Sequence, residues 1–383
     1  MTFTVALIVS SCTTSNDGQP NAVFVTTTAS PRTTAVPLGA TTSVPSGTPV
    51  LAGLCPDPLV VQLDGPLDMW ALPWTAMLAT DGTAIDGSYR AQMVHPIDRS
   101  PMGIQLQLRQ VTPVGRSVAE VLRDDRSVHL GVVSTDVSIA QRDAAPLNYL
   151  AAPWLHDDRI IWWDASAGGE ALSIADLGPD PKITIAGTID DPVIAYLVGT
   201  NLIVASQVTT EPAVLQFGQF LTDPLSWLSS NNTRRWQFLT DTGWSPYPHA
   251  VVASPSTATF LKPCLEVLVP MLQRAVVEVT REPERMVANL VEIATRSGNS
   301  ISREATVTNL RAAIGNGLLN KIDNQTVAEV TQARMEQALR ADATSRRVRG
   351  LSARSTDKLR QQARALITDY TANDLEIPVD ETS

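Results

Sequence analysis

The chain has 383 residues, more than one hydrophobic core usually serves, so two folded units of roughly 100–200 residues each are expected. Its hydrophobic content of 44% is that of a globular protein, while a net charge of −10 and a pI near 4.9 exclude a phosphate-backbone binder, which needs clustered Lys and Arg. No apolar run approaches the roughly 18–20 residues of a membrane span.

Residues 1–12 read as a lipoprotein signal segment. Residues 3–9 are apolar, and Val9-Ser10-Ser11-Cys12 has the order of a bacterial lipobox: an aliphatic residue, two small ones, then the Cys that would receive diacylglycerol. No Lys or Arg precedes Cys12, which leaves open a start codon placed too late, or a chance Cys in a frayed terminus. Residues 13–50 are crowded with Ser, Thr, Pro and Gly, carry almost no charge and show no periodicity, so they read as an unfolded tether between anchor and body. The body is thus expected outside the cytoplasm, held to the outer face of the cytoplasmic membrane by lipid alone. Cys55 and Cys264 remain as an even pair in an exported chain, expected as a disulfide joining the start of the fold to a helix near Pro263; two separate thiols are the alternative.

In chain order, residues 58–63 read as a strand stopped at Asp64-Gly65-Pro66, and 69–78 as a helix. Residues 104–111 alternate apolar and polar as a half-buried strand, and 117–124 form a helix leading into Val128-His129-Leu130-Gly131-Val132-Val133. That apolar run breaks into Ser134-Thr135-Asp136 and then Val137-Ser138-Ile139-Ala140, the way a buried strand hands over to a capped helix. It is either an ordinary βα turn or a ligand-holding junction. Strands are expected at 159–164 and 182–186. Gly187-Thr188-Ile189-Asp190-Asp191-Pro192 then repeats the junction before a helix over 193–198. Two such junctions in different domains would face each other across a cleft. Residues 217–224, 236–239 and 247–253 read as strands. Beyond Lys262 the pattern turns helical, over 265–279, 284–295, 325–341 and 357–370, with Arg346-Arg347-Val348-Arg349 as a solvated loop.

Catalytic constellations are missing from the sequence. His95, His129, His156 and His249 are scattered, with no two at metal-ligand spacing, and no Gly-x-Ser-x-Gly or phosphate loop occurs. No cofactor is expected. His129, inside an apolar strand, reads as a satisfied core side chain. Asp124-Asp125, Asp157-Asp158 and Asp190-Asp191 are neighbours that a strand would send to opposite faces, so they make poor acid–base dyads. Trp70, Trp74, Trp162, Trp163, Trp244 and Tyr247 lie near strand ends, where each is either core or a stacking surface; Trp244 and Tyr247, beside a Gly and two Pro, favour a loop.

Taken in order, several pieces resemble the substrate-binding lipoproteins of bacterial ATP-driven importers, in particular the actinobacterial set similar to nitrate, sulfonate and thiamine-pyrimidine-precursor binders. They are Cys55-Pro56-Asp57 with Leu59-Val60-Val61-Gln62 and Asp64; Val128-His129-Leu130-Gly131 with Val133-Ser134-Thr135-Asp136; Asp176-Leu177-Gly178; Tyr196-Leu197-Val198-Gly199; Ser206-Gln207-Val208; Thr222-Asp223-Pro224; Tyr247-Pro248; and Pro263-Cys264-Leu265 with Leu268-Val269-Pro270. The resemblance implies an α/β, two-lobed type 2 periplasmic-binding-protein fold with mainly parallel sheets, two crossover strands and a helical C-terminal third. It divides the chain into lobe 1 over 51–160, lobe 2 over 161–240, and a lobe 1 return with C-terminal helices over 241–383.

It also implies a monomeric, non-enzymatic protein that closes on a small molecule and delivers it to an ABC permease. Asp64, Ser134, Thr135 and Asp136 would then bond the ligand from the first lobe, Thr188, Asp190 and Asp223 from the second and the crossover, with Trp244 or Tyr247 stacking. So many Asp side chains suit an amine, a pyrimidine or a vitamin precursor better than a bare anion. Gly65-Pro66-Leu67-Asp68-Met69-Trp70-Ala71 departs from the aromatic-Pro-Glu-rich stretch usual in relatives, which leaves a different ligand or lost binding open. Two other readings stand beside this one: a degenerate lobe serving as an extracytoplasmic sensor or interaction module, and a pyrimidine-synthase-like enzyme, which the missing Cys/His cluster disfavours.

Overall fold

A computed structural model describes residues 51–371, apart from 111–114, 169–170, 179–182, 211–213, 222–233, 320–325 and 353–357. The expectations for Cys12, the tether and Asp223 therefore lie outside the described residues.

Twelve strands are described: β1 Leu59–Gln62, β2 Thr83–Ile85, β3 Ser88–Val94, β4 Pro101–Arg109, β5 Leu130–Val133, β6 Asn148–Ala151, β7 Arg159–Asp164, β8 Ile185–Ala186, β9 Val208–Thr209, β10 Gln216–Gln219, β11 Arg234–Phe238 and β12 Ala250–Ala253. The large sheet has the order β2-β3-β4-β1-β5-β12-β6. β1 pairs in parallel with both β4 and β5, and five of the seven strands run one way; β3 and β12 oppose them. β12 reaches this sheet only after the chain has built another one, yet it inserts antiparallel between β5 and β6. The smaller sheet, β10-β7-β11, is antiparallel throughout, and β8 and β9 form a short parallel pair beside it.

Alternation along the strands buries the large sheet on both faces, since successive side chains leave a strand on opposite sides. On one face Leu59, Val61, Leu130, Val132 and Val251 join a core under the helices Lys262–Arg281, Pro283–Arg296 and Arg303–Gly315. On the other, Val60, Val133, Ala250 and Val252 meet the helices Val118–Asp124, Gln332–Val348 and Leu359–Leu366. Gly131 is needed where Val118–Asp124 crosses β5, because a Cβ there would lie 2.5 Å from Val118 Cγ1. A third core, with Ile161, Trp163, Ile194 and Leu197, fills the smaller body. Gln332–Val348 serves two cores, with Leu339 in the second and Ala341 in the third. Cys55, ahead of β1, and Cys264, in the first turn of Lys262–Arg281, have Cα atoms 4.8 Å apart and bonded sulfurs.

Three expectations change. The hairpin β2–β3 is absent from the sequence reading, although its turn is Asp86-Gly87 with both residues at positive φ, a turn type that matches strand twist. The helix Arg303–Gly315, capped by Ser302 accepting from Ala305 N–H, was likewise not anticipated. The run at 346–349 is no loop: Arg346 and Arg347 end the helix Gln332–Val348, where cations complement the helix dipole.

Candidate functional site

Chain crossings between the two sheets build the site. The chain leaves β6 through residues 152–158 to β7 and returns through 239–249 to β12; Asp157 and Asp158 from the first passage, Arg159 at the start of β7, and Pro248 and His249 from the second passage meet at one cavity of about 350 Å³. β1 ends there at Asp64 and Gly65, β5 at Ser134 and Asp136, and Gln219 comes from the smaller sheet.

The Val133-to-Thr135 junction is a strand-to-helix handover, with β5 followed by the helix Thr135–Gln141 and Ser134 as its N-cap residue. Ser134 Oγ turns to the Asp136 carboxylate, which also accepts from Val137 N–H at 2.9 Å. A carboxylate therefore already occupies the helix N-terminus, where an anion would otherwise dock. Asp136 continues to Arg159, whose Nη2 lies 3.0 Å from its Oδ2, and Arg159 Nε also pairs with Asp157. Burial works against the Arg159 charge, but Asp157 and Asp136 outweigh it and hold its pKa above the ordinary arginine value.

Asp68 caps the 3₁₀ turn Met69–Ala71 by accepting from Trp70 N–H at 2.9 Å. Burial raises its pKa, and the bond from Trp70 opposes that only in part. Trp70 stacks on His249, centroids 4.6 Å apart, and meets Trp154 edge-on at 4.5 Å. Its carbonyl accepts from Trp154 Nε1–H at 3.0 Å, and His249 Nδ1 lies 3.4 Å from Asp64 Oδ1.

Asp158 is 6% exposed. Burial and then the Asp157 charge push its pKa up to about 6, although Leu221 N–H donates to it. A raised carboxylate pKa favours the folded state fully below the ordinary value, near 3.9, and that contribution is lost as pH rises through about 6. Keeping the ionised group buried then costs on the order of 3 kcal/mol at pH 7. Asp158→Asn, which keeps an acceptor for Leu221, is expected to melt above the wild type at pH 7.5, with the gap closing toward pH 4; an equal gap at both pH values contradicts this.

Of the residues expected from sequence, Asp64, Ser134 and Asp136 line this cavity, and five do not. Thr135 is fully buried: its N–H donates to the Tyr247 carbonyl and its Oγ1 accepts from Tyr247 N–H, so it pins the return passage. Tyr247, 1% exposed, lies in the core under the Arg334 guanidinium, 4.0 Å from its ring centroid, and has no free face for stacking. Trp244, 3% exposed, packs against Tyr196 and lines a separate cavity of about 260 Å³. Thr188 and Asp190 are exposed and line neither cavity, and Asp191 caps Pro192–Gly199 by accepting from Val193 and Ile194 N–H. His129 Nδ1 accepts from Val60 N–H at 3.0 Å, so the ring is satisfied as expected, but it sits half-buried just ahead of β5 and not in the core.

Sequence reasoning missed Asp68, Arg159 and Gln219, set aside Asp157, Asp158 and His249, and left Trp70 as either core or a stacking surface. The acid pair precedes β7 instead of lying in it, so alternation does not separate its side chains. Asp-Asp-Arg at a strand start was the available signal.

No family model and no curated protein matches the chain. Among solved structures, the periplasmic aliphatic sulphonate binding protein SsuA from Escherichia coli superposes with a TM-score of 0.52 at 13% identity, over 86% of this chain and 98% of that one. The periplasmic nitrate-binding protein NrtA from Synechocystis PCC 6803 gives 0.47 at 11% identity, over 82% of this chain and 87% of that one. With β12 returned antiparallel into the large sheet and the cavity set between two α/β bodies, the chain has the two-lobed fold of periplasmic binding proteins.

Proposed function

We propose that the protein is an extracytoplasmic solute-binding component of an ABC importer, which captures a small molecule between its lobes and hands it to a permease. The observation that carries this is the cavity of about 350 Å³ where both crossings meet both sheets, a volume in the range of small-molecule sites. The superposed sulphonate binder supports the role only through its fold. In this reading the protein acts as a non-enzymatic monomer, with lobes divided near residues 160 and 240. Cys12 carries the lipid, residues 13–50 form the tether, and Cys55–Cys264 is the disulfide of an exported domain. Asp64, Ser134 and Asp136 contribute ligand contacts, joined by Asp68, Trp70, Asp158 and His249.

A thermal-shift screen of the full chain against a mixed set of amines, pyrimidines, vitamins, sulfonates and nitrate tests the reading. A ligand held at one hundred times its Kd adds about 2.7 kcal/mol to the folded state, enough to read as a higher midpoint. At least one compound is expected to raise it; a set that leaves the midpoint unmoved speaks against capture.

A further inference from the structure

We infer that this cavity selects a small organic cation, and that Asp68 and Asp158 are the carboxylates that receive its charge. The inference rests on the solute-binding reading and names the ligand class of that same site.

Asp64, Asp68, Asp136, Asp157 and Asp158 line the cavity, and Arg159 is the one Arg or Lys among the described residues that do so. Arg159 is already shared by Asp136 and Asp157, and Asp64 has His249 beside it. Asp68 and Asp158 form no ion pair with a lysine or arginine among the described residues; His249 acts on both and Arg159 on Asp158, but neither offsets their burial. Asp158 is more than nine-tenths buried, and a carboxylate in that position is costly unless something positive joins it. An organic cation entering the cavity supplies that partner. The raised pKa of both groups fits sites whose counter-charge arrives with the ligand.

The aromatic part of the lining points to an organic body. Trp70 lies two residues from Asp68 in sequence and lines the same cavity, so the indole stands where a flat or alkyl body attached to the cation can pack. A bare metal ion fits less well. Among the described residues no group of three His, Cys, Asp or Glu side chains is arranged to hold one. Anions are opposed twice, by the acidic lining and by the Asp136 carboxylate at the helix N-terminus.

Three compounds of one shape separate charge from shape: benzamidine, benzamide and benzoate. Calorimetric titration into the full chain at pH 7.5 is expected to give benzamidine at least tenfold tighter binding than benzamide, and no binding of benzoate. Asp68→Asn and Asp158→Asn are each expected to weaken benzamidine at least tenfold and to narrow its advantage over benzamide, with unchanged far-ultraviolet circular dichroism. Benzamide or benzoate binding as tightly as benzamidine overturns the inference. The compounds returned by the thermal-shift screen give a second readout: neutral or anionic hits overturn the cation preference while leaving solute capture standing, and no hit at all overturns both.

Discussion

Replacing Cys264 with alanine is expected to remove about 2–5 kcal/mol of folding free energy. The bond it breaks closes a loop of 209 residues, containing both crossings and all three strands of the smaller sheet, and long loops gain most from closure in the chain-entropy account. Cys55→Ala alone should cost almost as much, and the double variant little more than either single one, because both changes remove the same bond. Urea unfolding of the three variants checks this. Additive losses, or a Cys55→Ala variant as stable as the wild type, would show two independent thiols.

Arg159→Met is expected to cost about 2–4 kcal/mol by the same measurement. The side chain joins two carboxylates of low exposure, Asp136 from the helix after β5 and Asp157 from the first crossing, and removing it leaves both charges without their partner. The value is set below that of a fully buried pair because the Arg159 side chain keeps about a third of its surface in solvent. Adding Asp157→Asn to Arg159→Met should recover part of the loss, since one of the stranded charges goes with it. A double variant less stable than Arg159→Met would mean that Asp157 acts through another contact.

Much of the framework was legible because it is written locally. β1, the run ending at β5, β7, β12 and the helical C-terminal third each carry their own period, and 128–136 resolves into strand, Ser134 and helix as the apolar run and polar break imply. The hairpin β2–β3 is legible too, through Asp86-Gly87. The site was less readable, since Asp64, Asp136, Asp158 and His249 come from four segments that only the crossings bring together. Local chemistry also misled at Thr188: the second junction has the composition of the first, but its polar residues are spent on capping by Asp191 and on exposed turn positions. Thr135 and Tyr247 were expected separately, as a ligand hydrogen bond and a stacking surface, yet both are buried and Thr135 spends its N–H and Oγ1 on the Tyr247 backbone.

The central claim is that the ligand sits where the crossings meet β1 and β5. Gly65 lines that cavity, its φ lies outside the left-handed region, and a Cβ there would meet nothing within 4 Å, so a side chain can start from this position and Gly65→Trp is expected to take up space at the cavity wall. The most direct measurement is calorimetric titration of the tightest compound from the screen into the wild type and into Gly65→Trp, with melting midpoints recorded alongside. Loss of binding by at least a hundredfold at an unchanged midpoint is the predicted result; equal affinity in the two proteins would place the ligand elsewhere and contradict the account.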